Sequence, residues 1–179
     1  MDSTEIPFLP ATELSALIRS GDVSPVEAAE AYLDRIGQID GKLNSYITVC
    51  RDEALAEAQQ AEKEIAAGNY RGPMHGLPVA VKDQFYTKGI RTTGGSAILK
   101  DLVPNEDATV VAKLKAAGSV LLGKLNMSEY AMGDAFFHPF GTPHNPWDLS
   151  RNPGTSSSGS GAATAAFLCA TSLGEDTGG

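Results

Sequence analysis

The sequence predicts an α/β fold, a sheet covered by helices, and three observations carry that prediction. Leu77 to Val81 is a short, nearly all-apolar run, as expected of a strand buried on both faces. A helical pattern over 108–117 follows, and Ser119 to Leu122 is a second apolar run. Strand, helix, strand at this spacing is the repeating unit of an α/β sheet.

The elements follow in chain order. Leu14, Leu17 and Ile18 recur at helical spacing within 11–20, and Gly21 stops that helix. Ser24-Pro25-Val26-Glu27 starts the next: Ser24 caps, Pro25 takes the first helical position and Glu27 completes a capping box. Val26, Ala29, Leu33 and Ile36 line one face of it to about residue 38. Tyr46 to Val49 reads as a strand, and 52–67 as a helix with a thin stripe of Leu55, Ala58, Ala61 and Ile65, ended by Gly68-Asn69. In the 108–117 helix Asp107 is the expected cap, Val110, Val111 and Leu114 the inward face, and Gly118 the stop. Residues 133–155 hold Pro139, Pro143, Pro146 and Pro153 and read as one long loop. Loops beyond about 15 residues are usually functional or disordered, and the aromatic residues here favour a packed functional loop. No internal repeat is visible.

Composition narrows the function. The 179 residues are 42% hydrophobic and 20% charged, enough to bury a core. The formal charge of −8 argues against a general nucleic-acid binder. The opening MDSTEIPFLP lacks the pattern of a signal peptide, and the stretch 162–170 is too short to span a membrane. Cys50 and Cys169 show no CxxC spacing and read as buried thiols of a reducing, cytoplasmic compartment. His75, His138 and His144 share no ligand spacing, so neither metal nor cofactor is expected. The end on Gly178-Gly179, after an apolar segment, suggests an incomplete chain.

Three segments could carry chemistry. Gly154-Thr155-Ser156-Ser157-Ser158-Gly159-Ser160-Gly161 precedes an apolar helical run. A flexible linker is one reading. A phosphate-binding turn is another, although Ser160 stands where a P-loop needs lysine and the third dinucleotide glycine is missing. A serine-rich active-site turn is the third. Lys82 ends the apolar run 77–81: it either leaves the sheet for solvent or stays inside, where a dehydrated amine can serve as a base. Gly174-Glu175-Asp176-Thr177-Gly178-Gly179 is either an ordinary turn or a convergence of amides suited to an oxyanion hole. Asp83 and Asp176 do not form a glycosidase pattern.

Taken together, HGLPVAVKD (75–83), GKLNMSEYAMG (123–133), NPWDLSRNPGTSSSGSGAA (145–163) and LGEDTGG (173–179) closely resemble the amidase signature family. Residues 14–36 look like that family's opening helices. The resemblance implies the N-terminal part of a single α/β amidase domain, with a mixed β-sheet covered by helices on both faces. Residues 1–70 would be mostly helical, 72–179 would begin the catalytic core, and the rest of the domain would lie outside this sequence.

The family hydrolyses carboxylic amides with a Ser–Ser–Lys triad. Carried over, Lys82 is the triad lysine and Ser156 the bridging serine, expected after a cis peptide bond from Thr155. Ser157 and Asp176 support the site, and Thr177, Gly178 and Gly179 supply oxyanion-hole amides. The nucleophilic serine would directly follow Gly179, so a chain ending there should be inactive. Tyr130, Met132, Thr155 and the 134–140 loop would border an acyl pocket. Thr155 and Ser158 replace family glycines. That departure favours a stand-alone amidase, with a small-molecule amide as its partner, no nucleic acid or membrane, and room for a homodimer. The alternatives are the glutaminase component of a tRNA-dependent amidotransferase and a catalytically inactive binding module.

Overall fold

The structure is a computed structural model that describes residues 2–132 and 138–176. Helix α1 (Ala11–Ser20) ends at Gly21 in the left-handed conformation, and α2 (Pro25–Leu43) starts on the capping box of Ser24 and Glu27. α2 runs five residues past the expected stop near 38, because its apolar face continues through Ile39 to the buried Leu43. Strand β1 (Tyr46–Val49) leads into α3 (Arg51–Ala66). Strand β2 (Pro78–Lys82), α4 (Thr109–Ala116) and β3 (Val120–Leu125) form the expected strand–helix–strand unit. α5 (Ser158–Ala165) and β4 (Thr171–Leu173) complete the α-helices and strands among the described residues.

Two details of α4 differ from the sequence reading. Asp107 does not cap the helix: its carboxylate accepts from the Lys88 amide at 2.7 Å and from Lys115 at 2.8 Å. Val110 faces outward, while Val111 is the buried contact and Leu114 is half-buried. A lysine ammonium is a stronger partner for a carboxylate than one free helix amide, which explains the first difference.

The sheet order is β1-β3-β2-β4, with β1 antiparallel to β3 and the other pairs parallel. The sheet is therefore mixed. One face presents Ala80, Val120, Leu122 and Leu125 to a core shared with α2, α3 and α5. The other presents Val79, Val81 and Leu121 to a smaller cluster with Cys50, Ile90 and the half-buried Leu114 of α4. Both cysteines are buried and unbridged, and burial pushes each thiol up to about 12. Among the described residues no helix is long and apolar enough to cross a membrane.

The pairing of β2 with β3 contains an irregularity that matters for the site. Val79 faces Leu121, but Ala80 faces Gly123, so β3 carries one extra residue. Side chains alternate along a strand, so one inserted residue exchanges the faces of everything after it. Lys82 is thereby opposite Leu125, and Lys124 opposite Val81. In an unbroken register the two lysines would lie side by side on one face. With the bulge they point to opposite faces.

Candidate active site

The carboxyl ends of β2 and β3, the turn before α5 and the segment after β4 converge on Lys82. Its side chain is fully buried. The amine donates to Ser156 Oγ at 3.0 Å and to Glu175 Oε1 at 2.6 Å. Residues 74 apart in sequence thus meet as the resemblance implied. The solvent-facing alternative for Lys82 is removed, as is the linker reading of the serine-rich segment. Whenever Lys82 carries a proton, the Glu175 carboxylate offsets the several kcal/mol that isolating an ammonium from water costs.

Local chemistry explains why the serine turn sits here. The Ser158 amide donates to the Thr155 carbonyl at 3.2 Å, closing a turn that feeds α5. Ser157 grips the segment after β4 reciprocally. Its hydroxyl donates to the Glu175 carbonyl at 2.8 Å and accepts from the Glu175 amide at 3.3 Å. Gly159 then lets α5 press directly on the sheet. A Cβ there would lie 2.4 Å from the Asn126 amide nitrogen and 2.5 Å from the Ser45 carbonyl oxygen. Asn126 secures the same junction. Its carbonyl accepts from the Gly159 amide at 2.9 Å, and its side-chain amide donates to the carbonyls of Asn44 and Gly141.

The cis peptide expected between Thr155 and Ser156 is not found; among the described residues every peptide bond is trans. A non-proline cis bond costs about 2.5–4 kcal/mol, and this turn closes its hydrogen bond without it.

The remaining expected site residues divide. Tyr130 is half-exposed in a left-handed conformation (φ 50°), Met132 is exposed, and Thr155 faces solvent. Asp176 is exposed. Thr177, Gly178 and Gly179, and part of the 134–140 loop, lie outside the described residues.

Sequence reasoning missed the parts played by four residues. Glu175, read only as part of a turn, supplies the carboxylate on Lys82. Asn126 ties β3 to α5. Lys124 and Asp83 form a second buried pair beside the site, 3.3 Å apart and both fully buried. A lysine next to the last residue of an otherwise apolar strand was the available signal for Lys124. Among the described residues no group of His, Cys, Asp and Glu could hold a metal ion.

Comparison with known proteins bears on the family and the fold. The family model described as Amidase matches residues 27–179. The glutamyl-tRNA(Gln) amidotransferase A-chain protein of Salinispora tropica is 48% identical over 177 residues, 98% of this chain and 36% of that protein. Its counterpart from Geobacter sp. strain M21 is 52% identical over 168 residues, 93% of this chain and 34% of that protein. The chain thus spans about a third of the length of these relatives. The structure of native peptide amidase from Stenotrophomonas maltophilia superposes with a TM-score of 0.84 at 35% identity, covering 89% of this chain and 34% of that one. With a matched family model, close relatives and a shared fold, the chain belongs to the amidase signature family.

Proposed function

We propose that these residues form the lysine half of an amide-hydrolysing site working through an acyl-serine intermediate. The observation that carries this reading is the buried Lys82 amine 3.0 Å from Ser156 Oγ. A serine hydroxyl is a poor nucleophile until a base takes its proton. In this reading the nucleophilic serine follows Gly179 and passes its proton through Ser156 to neutral Lys82. It then attacks the amide carbonyl, and the Thr177–Gly179 amides stabilise the oxyanion. Ser156 returns the proton to the leaving amine, and water releases the acyl group. Glu175 is the counter-charge to the ammonium formed on Lys82.

A second reading is favoured by the names of the relatives, which are components of glutamyl-tRNA(Gln) amidotransferases. There the same chemistry would release ammonia for transfer to a charged tRNA held by partner proteins. Thr155 and Ser158, in place of family glycines, support the stand-alone amidase. Assaying the complete polypeptide alone on simple amides separates the two. Turnover without partners supports the amidase. Glutamine hydrolysis that appears only with partner proteins and tRNA supports the amidotransferase. An alanine or glycine after Gly179 would overturn both and leave a binding module.

A further inference from the structure

We propose that the buried Asp83–Lys124 pair is a positioning pair for the reaction: it holds the loop of residues 83–96 so that Lys82 and the segment carrying Tyr130 keep a fixed relation. This rests on the amide-hydrolysis reading above.

The contacts run in one connected series. The chain leaves β2 at Lys82, whose carbonyl accepts from the Phe85 amide at 3.1 Å. Asp83 extends the pairing by donating its amide to the Leu125 carbonyl at 3.0 Å. Its Oδ2 accepts from the Thr93 amide at 2.7 Å and from the Thr93 hydroxyl. Lys124 donates to the Phe85 carbonyl at 2.8 Å and to Thr92 Oγ1 at 2.6 Å, and its amine lies 3.3 Å from Asp83 Oδ1. The two charges therefore grip both arms of the loop, the outgoing 83–85 and the returning 92–94. From the returning arm the series reaches the proposed pocket. The Tyr130 amide donates to the Gly94 carbonyl at 2.8 Å, and Ser96 Oγ donates to Glu129 Oε1 at 2.6 Å.

Stability alone does not account for two charges in this place. Replacing a buried ion pair by apolar groups of similar volume is often neutral or stabilising. What an apolar pair cannot do is direct two backbone segments through oriented hydrogen bonds. The bulge in β3 makes this division of labour feasible, because it turns Lys124 away from Lys82 while leaving both at the same rim of the sheet. Loss of the pair would free Lys82 to shift, and a misplacement of about 1 Å can cost about a hundredfold in rate.

The experiment compares Lys124→Met, Asp83→Asn, the double variant and Thr92→Val in the complete polypeptide, reading Tm, kcat and KM. Each charge variant alone should lower Tm, since it strands the other charge. The double variant should recover Tm but keep a kcat about a hundredfold below the parent. Thr92→Val removes one acceptor of Lys124 and the donor to the Ile90 carbonyl, so it should lower Tm less than either charge variant does and lower kcat about tenfold. A double variant that regains both Tm and kcat, or a Thr92→Val variant with parental kcat, overturns the proposal. If the double variant does not fold, Thr92→Val decides alone. Lys82→Ala, measured in parallel, keeps the two levels apart. Activity surviving in Lys82→Ala overturns the hydrolysis reading itself, whereas its loss beside an active double variant overturns only the positioning role.

Discussion

Lys82 and Lys124 start from nearly identical circumstances. Each sits near the carboxyl end of an apolar strand, the two strands are parallel neighbours, and both side chains are fully buried. Their surroundings differ in kind. Lys124 is enclosed by a fully buried carboxylate, a backbone carbonyl and a threonine hydroxyl. Lys82 touches a half-buried serine hydroxyl and a carboxylate with 23% of its side chain exposed. Burial pushes the Lys124 amine below the usual lysine range, with Asp83 opposing the shift. Geometry separates the two: in the proposed reaction the base takes its proton through a relay hydroxyl, and the Ser156 hydroxyl on Lys82 is half-buried whereas the Thr92 hydroxyl on Lys124 is fully buried. Perturbed ionisation marks both functional and structural charges.

The largest expected effect breaks this comparison directly. In the complete polypeptide, Lys82→Ala should lower amide hydrolysis by about 10²–10⁴-fold, the range for removing a positioned base, while the folded state survives. Lys124→Met should lower stability first, with the loss of kcat expected of the pair, about a hundredfold, beside it. It leaves Asp83 as an unpaired buried charge, which costs about 3–5 kcal/mol of stability. Urea unfolding and steady-state kinetics on both variants test the contrast. A Lys82→Ala enzyme within about tenfold of the parent would remove the residue from the mechanism.

The second prediction concerns the bulge that separates the two lysines. A Cβ on Gly123 would lie 2.3 Å from the Thr48 carbonyl oxygen and 3.0 Å from the Tyr46 ring. Backbone cannot yield there without shifting β1 against β3. Gly123→Ala should therefore cost about 1–3 kcal/mol, read from urea unfolding, and should disturb activity because both lysines hang on this register. Unchanged stability would show that the bulge accommodates a side chain and that register here is loosely held.

The sequence made the parts of this arrangement legible but not their pairing. The apolar runs to Val81 and Leu122, the capping box at Ser24 and the serine turn were readable because each is a local pattern, although β3 itself continues to Leu125. Lys82 and Ser156 were readable as a pair only through resemblance, since no local signal relates residues 74 apart. The bulge was invisible for a physical reason. It arises where β3 meets β2 and β1 at once, and Gly123 within an apolar run is equally compatible with a regular strand. Face assignment of Lys124 depends on that single insertion, so the buried pair with Asp83 escaped too. Asp107 shows the opposite failure. A correct local rule placed it as a cap, and a lysine one helical face away outcompeted the helix amides for it.

The smallest expected effect guards the comparison against a false reading of pH. Any pH–rate profile used to compare the lysines needs to know where the fold itself begins to give way. His75 lies at the opposite end of β2 from Lys82 and is fully buried. Its Nδ1 accepts from the Arg71 amide at 3.1 Å, so the neutral ring carries its proton on Nε2, 3.1 Å from Glu64 Oε2. A second proton would have to sit on Nδ1, against the Arg71 N–H. Burial holds the imidazole below the ordinary value of 6.5, and the Glu64 carboxylate opposes that shift. The unfolded chain therefore binds this proton more readily than the folded one. The stability contributed by neutral His75 is complete above pH 6.5 and is lost as pH falls through the lowered folded value. His75→Asn keeps an acceptor for Arg71 but cannot titrate. Its Tm should decline less steeply than the parent's below pH 6.5, and the two curves should run parallel above it. Parallel curves throughout would clear His75 of any part in the acid loss of stability.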